Sequence, residues 1–332
     1  MILKDIARLA DVSIATVSMI LNNKNQNISA STRENVLRIA RESNYIPNAM
    51  ARSLIIGKTK IIGLIVPEIS NPFFPELARG VEDKANEAGY NVIFCNSDDD
   101  PIKEERYLEM LAEKMVDGII FVHTANRSEG LEKYIRQDVP VILIDRDMDI
   151  DNVKGKVLVN NFHGAYMGVK HLLDKGYKKI AFITGSLKSN ITFDRLQGYK
   201  KALSEHDIPI DEKYIMLGQY KSEWGIQATK QLLSEGIDFD SVFCGNDLIA
   251  IGVVKTLINN GLKIPDDVGI VGFDDIWMAS MIMPELTTVK QPNYEMGYKA
   301  SEMLIDIVAN PETSTRNKII FLETELIIRH ST

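Results

Sequence analysis

From Lys60 onward the chain alternates apolar strand-like runs with amphipathic helical stretches, and this alternation restricts the fold more than any other feature. The runs are IIGLIVP (61–67), NVIFCNS (91–97), GIIFVH (118–123) and VPVILID (139–145), followed by VLVNN, KIAFITG, YIMLGQY, SVFCGND, GIVGFDD and TTVKQ. Stretches such as FFPELARGVEDKANEAG and ERYLEMLAEKM separate most of them. Strands apolar on both faces need helices above and below, which implies parallel sheets in a doubly wound α/β arrangement. Some ten strands over about 270 residues fit two such sheets better than one. Ligands of these folds sit where strands end, so a cleft between the two sheets is the expected site.

The first 46 residues follow a different pattern. Leu3, Ile6, Ala7 and Ala10 mark one face of a short helix, and Asp11-Val12-Ser13 forms a turn. Ser13 is a plausible N-cap for a second helix from Ile14 to about Asn22, with Val17, Ile20 and Leu21 facing inward. After the polar loop NNKNQN, Ser31-Thr32-Arg33-Glu34 has capping-box spacing for a third helix with Val36, Leu37, Ile39 and Ala40 as its apolar stripe. Helix, tight turn and exposed short helix is the pattern of a helix-turn-helix. Charge agrees with it. Residues 1–60 carry nine Lys/Arg against four acids, leaving 29 bases against 42 acids in the rest of a chain whose net charge is −8. A basic head on an acidic body suits a module that meets phosphate while the body stays off it.

Several function classes fit poorly. No run approaches the roughly 20 apolar residues of a membrane span, and the N-terminus lacks the apolar centre of an export signal, so a cytoplasmic protein with no membrane partner is expected. Cys95 and Cys244 lie in apolar runs and read as buried free thiols. The five histidines show no metal-ligand spacing, and there is no HExxH, GxSxG or complete phosphate loop. Gly57-Lys58-Thr59 looks like the end of such a loop, but Arg52 stands where its first glycine would be. Neither an enzyme nor a cofactor is expected.

LKDIARLADVSIATVSMILNN and STRENVLRIARESNYIPNAMARSL resemble the head of the lactose-repressor family of bacterial regulators. The resemblance continues through IGLIVPEISNPFFPELARGVEDKANEAGYNVIFCNSDDD and VGFDDIWMASMIMPELTTVKQP, covers essentially the whole chain, and is strongest toward the ribose-repressor branch. It implies an all-α helix-turn-helix head (1–46), a hinge helix (47–59), and a periplasmic-binding-protein-like core (60–332) of two doubly wound parallel-sheet lobes. The chain would cross between lobes near 160–163, 290–293 and 320–325. It further implies a homodimer on double-stranded operator DNA, controlled by a small-molecule effector, with a sugar, pentose above all, ahead of a purine. A sugar-binding transport protein is the alternative outside the regulator class. Whether a phosphocarrier protein acts as corepressor is left open.

By the same resemblance the second helix enters the major groove with Ile14, Ala15 and Met19 toward the base edges. Ser13, Thr16, Ser18 and Asn22 would bond phosphates or bases, and Tyr45 and Asn48 would also contact the DNA. Leu54 would wedge the minor groove, and Ala51 would let paired hinge helices approach closely. Family members often have a polar or basic residue where this chain has Met19. Apolar side chains contact thymine methyls but cannot form the bidentate bonds that read guanine or adenine. The effector residues implied are Phe73, Phe74 and Tyr220 as aromatic walls, with Asn160, Arg195, Asn246, Asp274 and Gln291 as polar partners. Asn160 stands where the family usually has Asp, and Trp277 would line the cleft mouth.

This head would depend on methyl contacts and operator deformability more than on a hydrogen-bond code. Met19→Ala is therefore expected to weaken operator binding more than binding to random DNA, as measured by competition gel shift. Equal losses on both would show that Met19 reads nothing.

Overall fold

The structure is a computed structural model, and it describes residues 1–22, 28–45, 57–124, 131, 139–148, 150, 152–311 and 318–332. Contacts divide the chain into two compact units, residues 1–59 and 60–332. Residues 47–56 of the expected hinge helix, with Asn48, Ala51 and Leu54, lie outside the described residues, as does most of the loop after Asn22.

The first unit holds α1 (Leu3–Leu9), α2 (Ile14–Leu21) and α3 (Ala30–Glu42). Ile6, Val17, Ile20, Val36 and Ile39 form its core, so each helix contributes one apolar stripe. One detail departs from the sequence expectation. Ser29, two residues before the predicted cap, ends the approach to α3, and its hydroxyl accepts the Thr32 backbone N–H at 3.2 Å. Ser31 lies inside the first turn, because the earlier hydroxyl already satisfies the exposed amide.

Among the described residues, the second unit contains twelve strands in two six-stranded sheets. The first lobe is built from β1 (Ile61–Val66), α4 (Phe73–Glu87), β2 (Asn91–Asn96), α5 (Pro101–Glu113), β3 (Gly118–Phe121), β4 (Val141–Ile144) and β5 (Gly155–Val159). The chain then enters the second lobe through α6 (Asn161–Asp174), β6 (Ile180–Gly185), α7 (Asn190–Glu205), β7 (Ile215–Gly218), α8 (Ser222–Ser234) and β8 (Ser241–Cys244). α9 (Asp247–Asn259), β9 (Gly269–Asp274) and β10 (Thr287–Lys290) complete that run. α10 (Asn293–Ala309) and β11 (Lys318–Leu322) return to the first lobe, and β12 (Glu325–Ile327) closes the second. The sheet orders are β11-β5-β4-β3-β1-β2 and β12-β10-β9-β8-β6-β7.

Two corrections follow. The two C-terminal strands escaped the sequence reading because both are sheet edges: β11 is largely exposed and β12 has only three residues. β12 also runs antiparallel to β10, so the second sheet is not wholly parallel. The other pairings are parallel, and alternate residues of each strand face opposite helical layers. In β1, Ile62, Leu64 and Val66 join the cluster under α4 and α10, whereas Ile65 joins the cluster under α5. No described helix is long and apolar enough to cross a membrane.

α4 and α10 cross at a pair of glycines. A Cβ on Gly80 would overlap the Tyr294 carbonyl oxygen, and one on Gly297 would overlap that of Leu77. Backbone meets backbone there, so no side-chain rotation relieves the overlap. Gly80→Ala is expected to cost at least about 2 kcal/mol, at the upper part of the usual overpacking range. Urea denaturation should show it, and an unchanged midpoint would mean that the helices separate freely.

Candidate functional site

α2 presents Ile14 and Met19 to solvent, 47% and 41% exposed, while Val17 and Ile20 are buried below them. Ala15 is exposed and Ser18 half-buried on the same outer side. Ser13 caps the helix: its hydroxyl accepts the Thr16 N–H at 3.0 Å and shares a 2.8 Å bond with the Thr16 hydroxyl. The Asn22 carboxamide donates back to the Ser18 carbonyl at 2.8 Å. These four polar side chains are thus fixed by local bonds, with remaining lone pairs and donors turned to water. Tyr45 is half-buried and packs against the core of this unit. The outer face of α2 is apolar and is framed by hydroxyls.

A cleft of about 390 Å³ opens between the two lobes of the second unit. Seven of the eight expected effector residues line it: Phe73, Phe74, Arg195, Tyr220, Asn246, Asp274 and Gln291. They meet because parallel strands deliver their C-terminal ends to one side. Asp274 ends β9, Gln291 follows β10, Asn246 follows β8 and Tyr220 follows β7. Phe73 and Phe74 open α4 with rings 5.0 Å apart and nearly perpendicular. Their approach is fixed by the Asn71 side chain, which accepts the Phe73 N–H at 3.1 Å.

Two expected residues are elsewhere. Asn160 is exposed and absent from the lining. Its side-chain oxygen accepts the His163 N–H at 2.9 Å and so caps α6 instead. Trp277 lies in a short 3-10 turn, 64% exposed, and does not line the cleft. Conversely, the sequence reading missed Thr124, Asp145 and Arg146 in the first lobe. The signal was available, since each lies within three residues of a strand's C-terminal end.

Arg195 is 2% exposed and held from four sides. Its Nε donates to the Asn161 side chain at 2.9 Å and one terminal nitrogen to the Gly245 carbonyl. The other lies 4.0 Å from Asp274, and the guanidinium sits 3.7 Å from the centre of the Phe273 ring. Asp274 also accepts a 2.7 Å bond from Gln291. Burial nevertheless pushes the Asp274 carboxyl up to about 7, against the pull of Arg195 and Gln291. Burial likewise raises Asp145, opposed by Arg146 and then Arg195. Three lining residues carry a buried polar atom that makes no hydrogen bond among the described residues: Thr124 Oγ1, Gln291 Oε1 and Arg146 Nε, the last lying 3.9 Å from the Asp145 carboxylate. Such atoms are costly to bury unsatisfied, so a polyhydroxylated molecule would find donors and acceptors waiting. Among the described residues no group of three or more His, Cys, Asp or Glu could hold a metal.

The family model described as "Bacterial regulatory proteins, lacI family" matches residues 2–48, and "Periplasmic binding proteins and sugar binding domain of LacI family" matches residues 59–329. The HTH-type transcriptional regulator RegA of Clostridium saccharobutylicum is 42% identical over 332 residues, covering 99% of this chain and 98% of RegA. The ribose operon repressor of Haemophilus influenzae is 37% identical with the same coverage. Among solved structures, the Lac repressor dimer bound to operator and the anti-inducer ONPF matches with a TM-score of 0.86 at 26% identity, over 100% of this chain and 99% of that one. The helix-turn-helix head removes the transport-protein alternative. The chain belongs to the LacI family of bacterial transcriptional repressors, with a DNA-binding head and an effector-binding core.

Proposed function

We propose that this repressor controls genes of carbohydrate metabolism as a homodimer, and that its effector is a small sugar of the pentose type bound between the lobes. One observation carries the reading. A buried carboxylate (Asp274), a buried guanidinium (Arg195) and a carboxamide (Gln291) converge opposite two phenylalanine rings, a combination suited to hydroxyls on one side of a molecule and C–H bonds on its other side. The identity to a ribose operon repressor supports the same choice. The dimer is supported by Trp277, Met281 and Met283, three strongly exposed apolar side chains within seven residues of the second lobe.

On this reading Phe73, Phe74 and Tyr220 hold the apolar face of the sugar, while Arg195, Asn246, Asp274 and Gln291 in the second lobe and Asp145, Arg146 and Thr124 in the first bond its hydroxyls. A ligand bonded to both lobes favours one angle between them. That preference changes operator affinity by a factor set only by its differential affinity for the two states. Two heads reading two half-sites match the symmetry of a near-palindromic operator. Gel shifts with fragments of the chain's own genome, at two salt concentrations and with and without ribose, test the reading. A shifted band that weakens steeply with salt and weakens again with ribose is expected. Binding to no fragment would sink it.

The cleft also predicts a pH dependence. Sugar hydroxyls donate to the ionised Asp274, so binding favours the charged form and releases a proton wherever the free carboxyl is protonated. With that carboxyl pushed up to about 7, affinity is full above pH 7 and falls by up to tenfold per unit below it. Asp274→Asn should weaken ribose binding about ten- to a hundredfold, the usual worth of a hydrogen bond to a charged group, and flatten this dependence. Calorimetry between pH 5.5 and 8.5 reads both effects.

A further inference from the structure

Asp274 ends β9 and Asn246 follows β8, both lining the cleft, yet residues two to five positions beyond them pack outside the second lobe. Leu248, Ile251, Ile276 and Met278 belong by sequence to the second lobe, but all pack with the core cluster of the first. Ile276 is 2% exposed there, in the cluster that contains Phe73, Phe74 and Leu77. The second lobe therefore drives an apolar wedge into the first, with its two roots at cleft-lining residues.

The roots are tied together. Asp247 is fully buried, and one carboxylate oxygen accepts the Ile276 N–H at 2.9 Å while the other accepts the Thr288 hydroxyl at 2.6 Å. Asn246 caps α9 by accepting the Ile249 N–H at 2.9 Å, which sets the direction in which Leu248 and Ile251 leave the cleft. Between Asp274 and Ile276 the backbone has little freedom. Asp274 has φ +112 and Asp275 φ +55, both left-handed and unfavourable for a residue other than glycine. Asp275 is pinned by Arg329, with a nitrogen–oxygen distance of 2.7 Å, and Arg329 is itself bonded to the Leu286 carbonyl. A turn held this tightly cannot absorb a displacement of the Asp274 backbone. It passes that displacement to the next residue but one.

We infer that Ile276 is a positioning residue for allostery: the wedge it forms with Leu248, Ile251 and Met278 links the ligand contacts at Asn246 and Asp274 to the orientation of the first lobe. This rests on the reading of the cleft as an effector site, but the mechanical link can be tested without any ligand.

The test uses the full-length chain with Glu105→Cys on α5 and Lys230→Cys on α8, both exposed, spin-labelled and mixed with excess unlabelled chain so that dimers carry one labelled subunit. Cys95 and Cys244 are buried and stay unlabelled. Without ligand, Ile276→Ala is expected to broaden the inter-lobe distance distribution, whereas Ile276→Val keeps the parental one. Met278→Ala serves in place of Ile276→Ala if that variant does not fold. With ribose, the change in operator affinity should lie in the five- to 150-fold range of allosteric couplings for the parent. It should fall below about threefold for Ile276→Ala, with ribose affinity itself changed less than threefold. A lower melting temperature with a superimposable distance distribution would overturn the inference, because a residue that merely fills space gives that result. If the parent does not respond to ribose, the ligand assignment fails, and the ligand-free distances still decide on the wedge.

Discussion

The buried guanidinium of Arg195 is the constraint around which the core is arranged. A buried charge is costly unless it is both paired and hydrogen-bonded, and Arg195 gains its compensation from Asn161, Gly245, Asp274 and the face of Phe273. Those partners come from α6, the β8–α9 turn and the end of β9, so satisfying one side chain fixes three segments relative to α7. Removing either member of such a pair leaves an uncompensated charge, which is why the arrangement specifies geometry more than it adds stability. The same arrangement leaves carboxylate and carboxamide oxygens directed at the cleft.

The consequences run outward from there. Asp274 is held between Arg195 and Gln291 on its cleft side and followed by a left-handed turn on its far side. On the proposed function, a ligand hydroxyl bonded to Asp274 would act on a group already held on both sides. α4 and α10 are closely crossed, and the backbone contacts at Gly80 and Gly297 leave no side chain between them to rearrange. Stiff lobes joined by three crossings are the form in which a small local bias becomes a change of angle. On the proposed function, the apolar outer face of α2 would put weight on the positioning of the DNA backbone, and operator affinity would then depend on how the two heads of a dimer are spaced.

The sequence was most legible where one periodic rule applied. Strand–helix alternation located the two parallel-sheet lobes, and the rule that polar residues after strand ends face the cleft found Asn246, Asp274 and Gln291. The same rule, carried into VILIDR and FVHT, would have added Asp145, Arg146 and Thr124. Asn160 shows a different limit: like Asn246 it follows a strand and caps the next helix, but Asn246 lines the cleft whereas Asn160 is exposed outside it, a difference of position that the local pattern does not carry. Ser29 and Ser31 pose the same ambiguity one helix earlier, since neighbouring hydroxyls compete for one cap. β11 and β12 were hidden because edge strands bury too little to show a pattern.

Linkage offers the most direct test of the central claim that a sugar in the cleft and an operator on the head control one equilibrium. Ribose affinity should be measured by calorimetry on the free repressor and again with saturating operator. Operator affinity should be measured with and without saturating ribose. The account predicts the same factor in both directions, within the five- to 150-fold range usual for allosteric coupling. A ribose affinity left unchanged by operator, while ribose still binds, would contradict it.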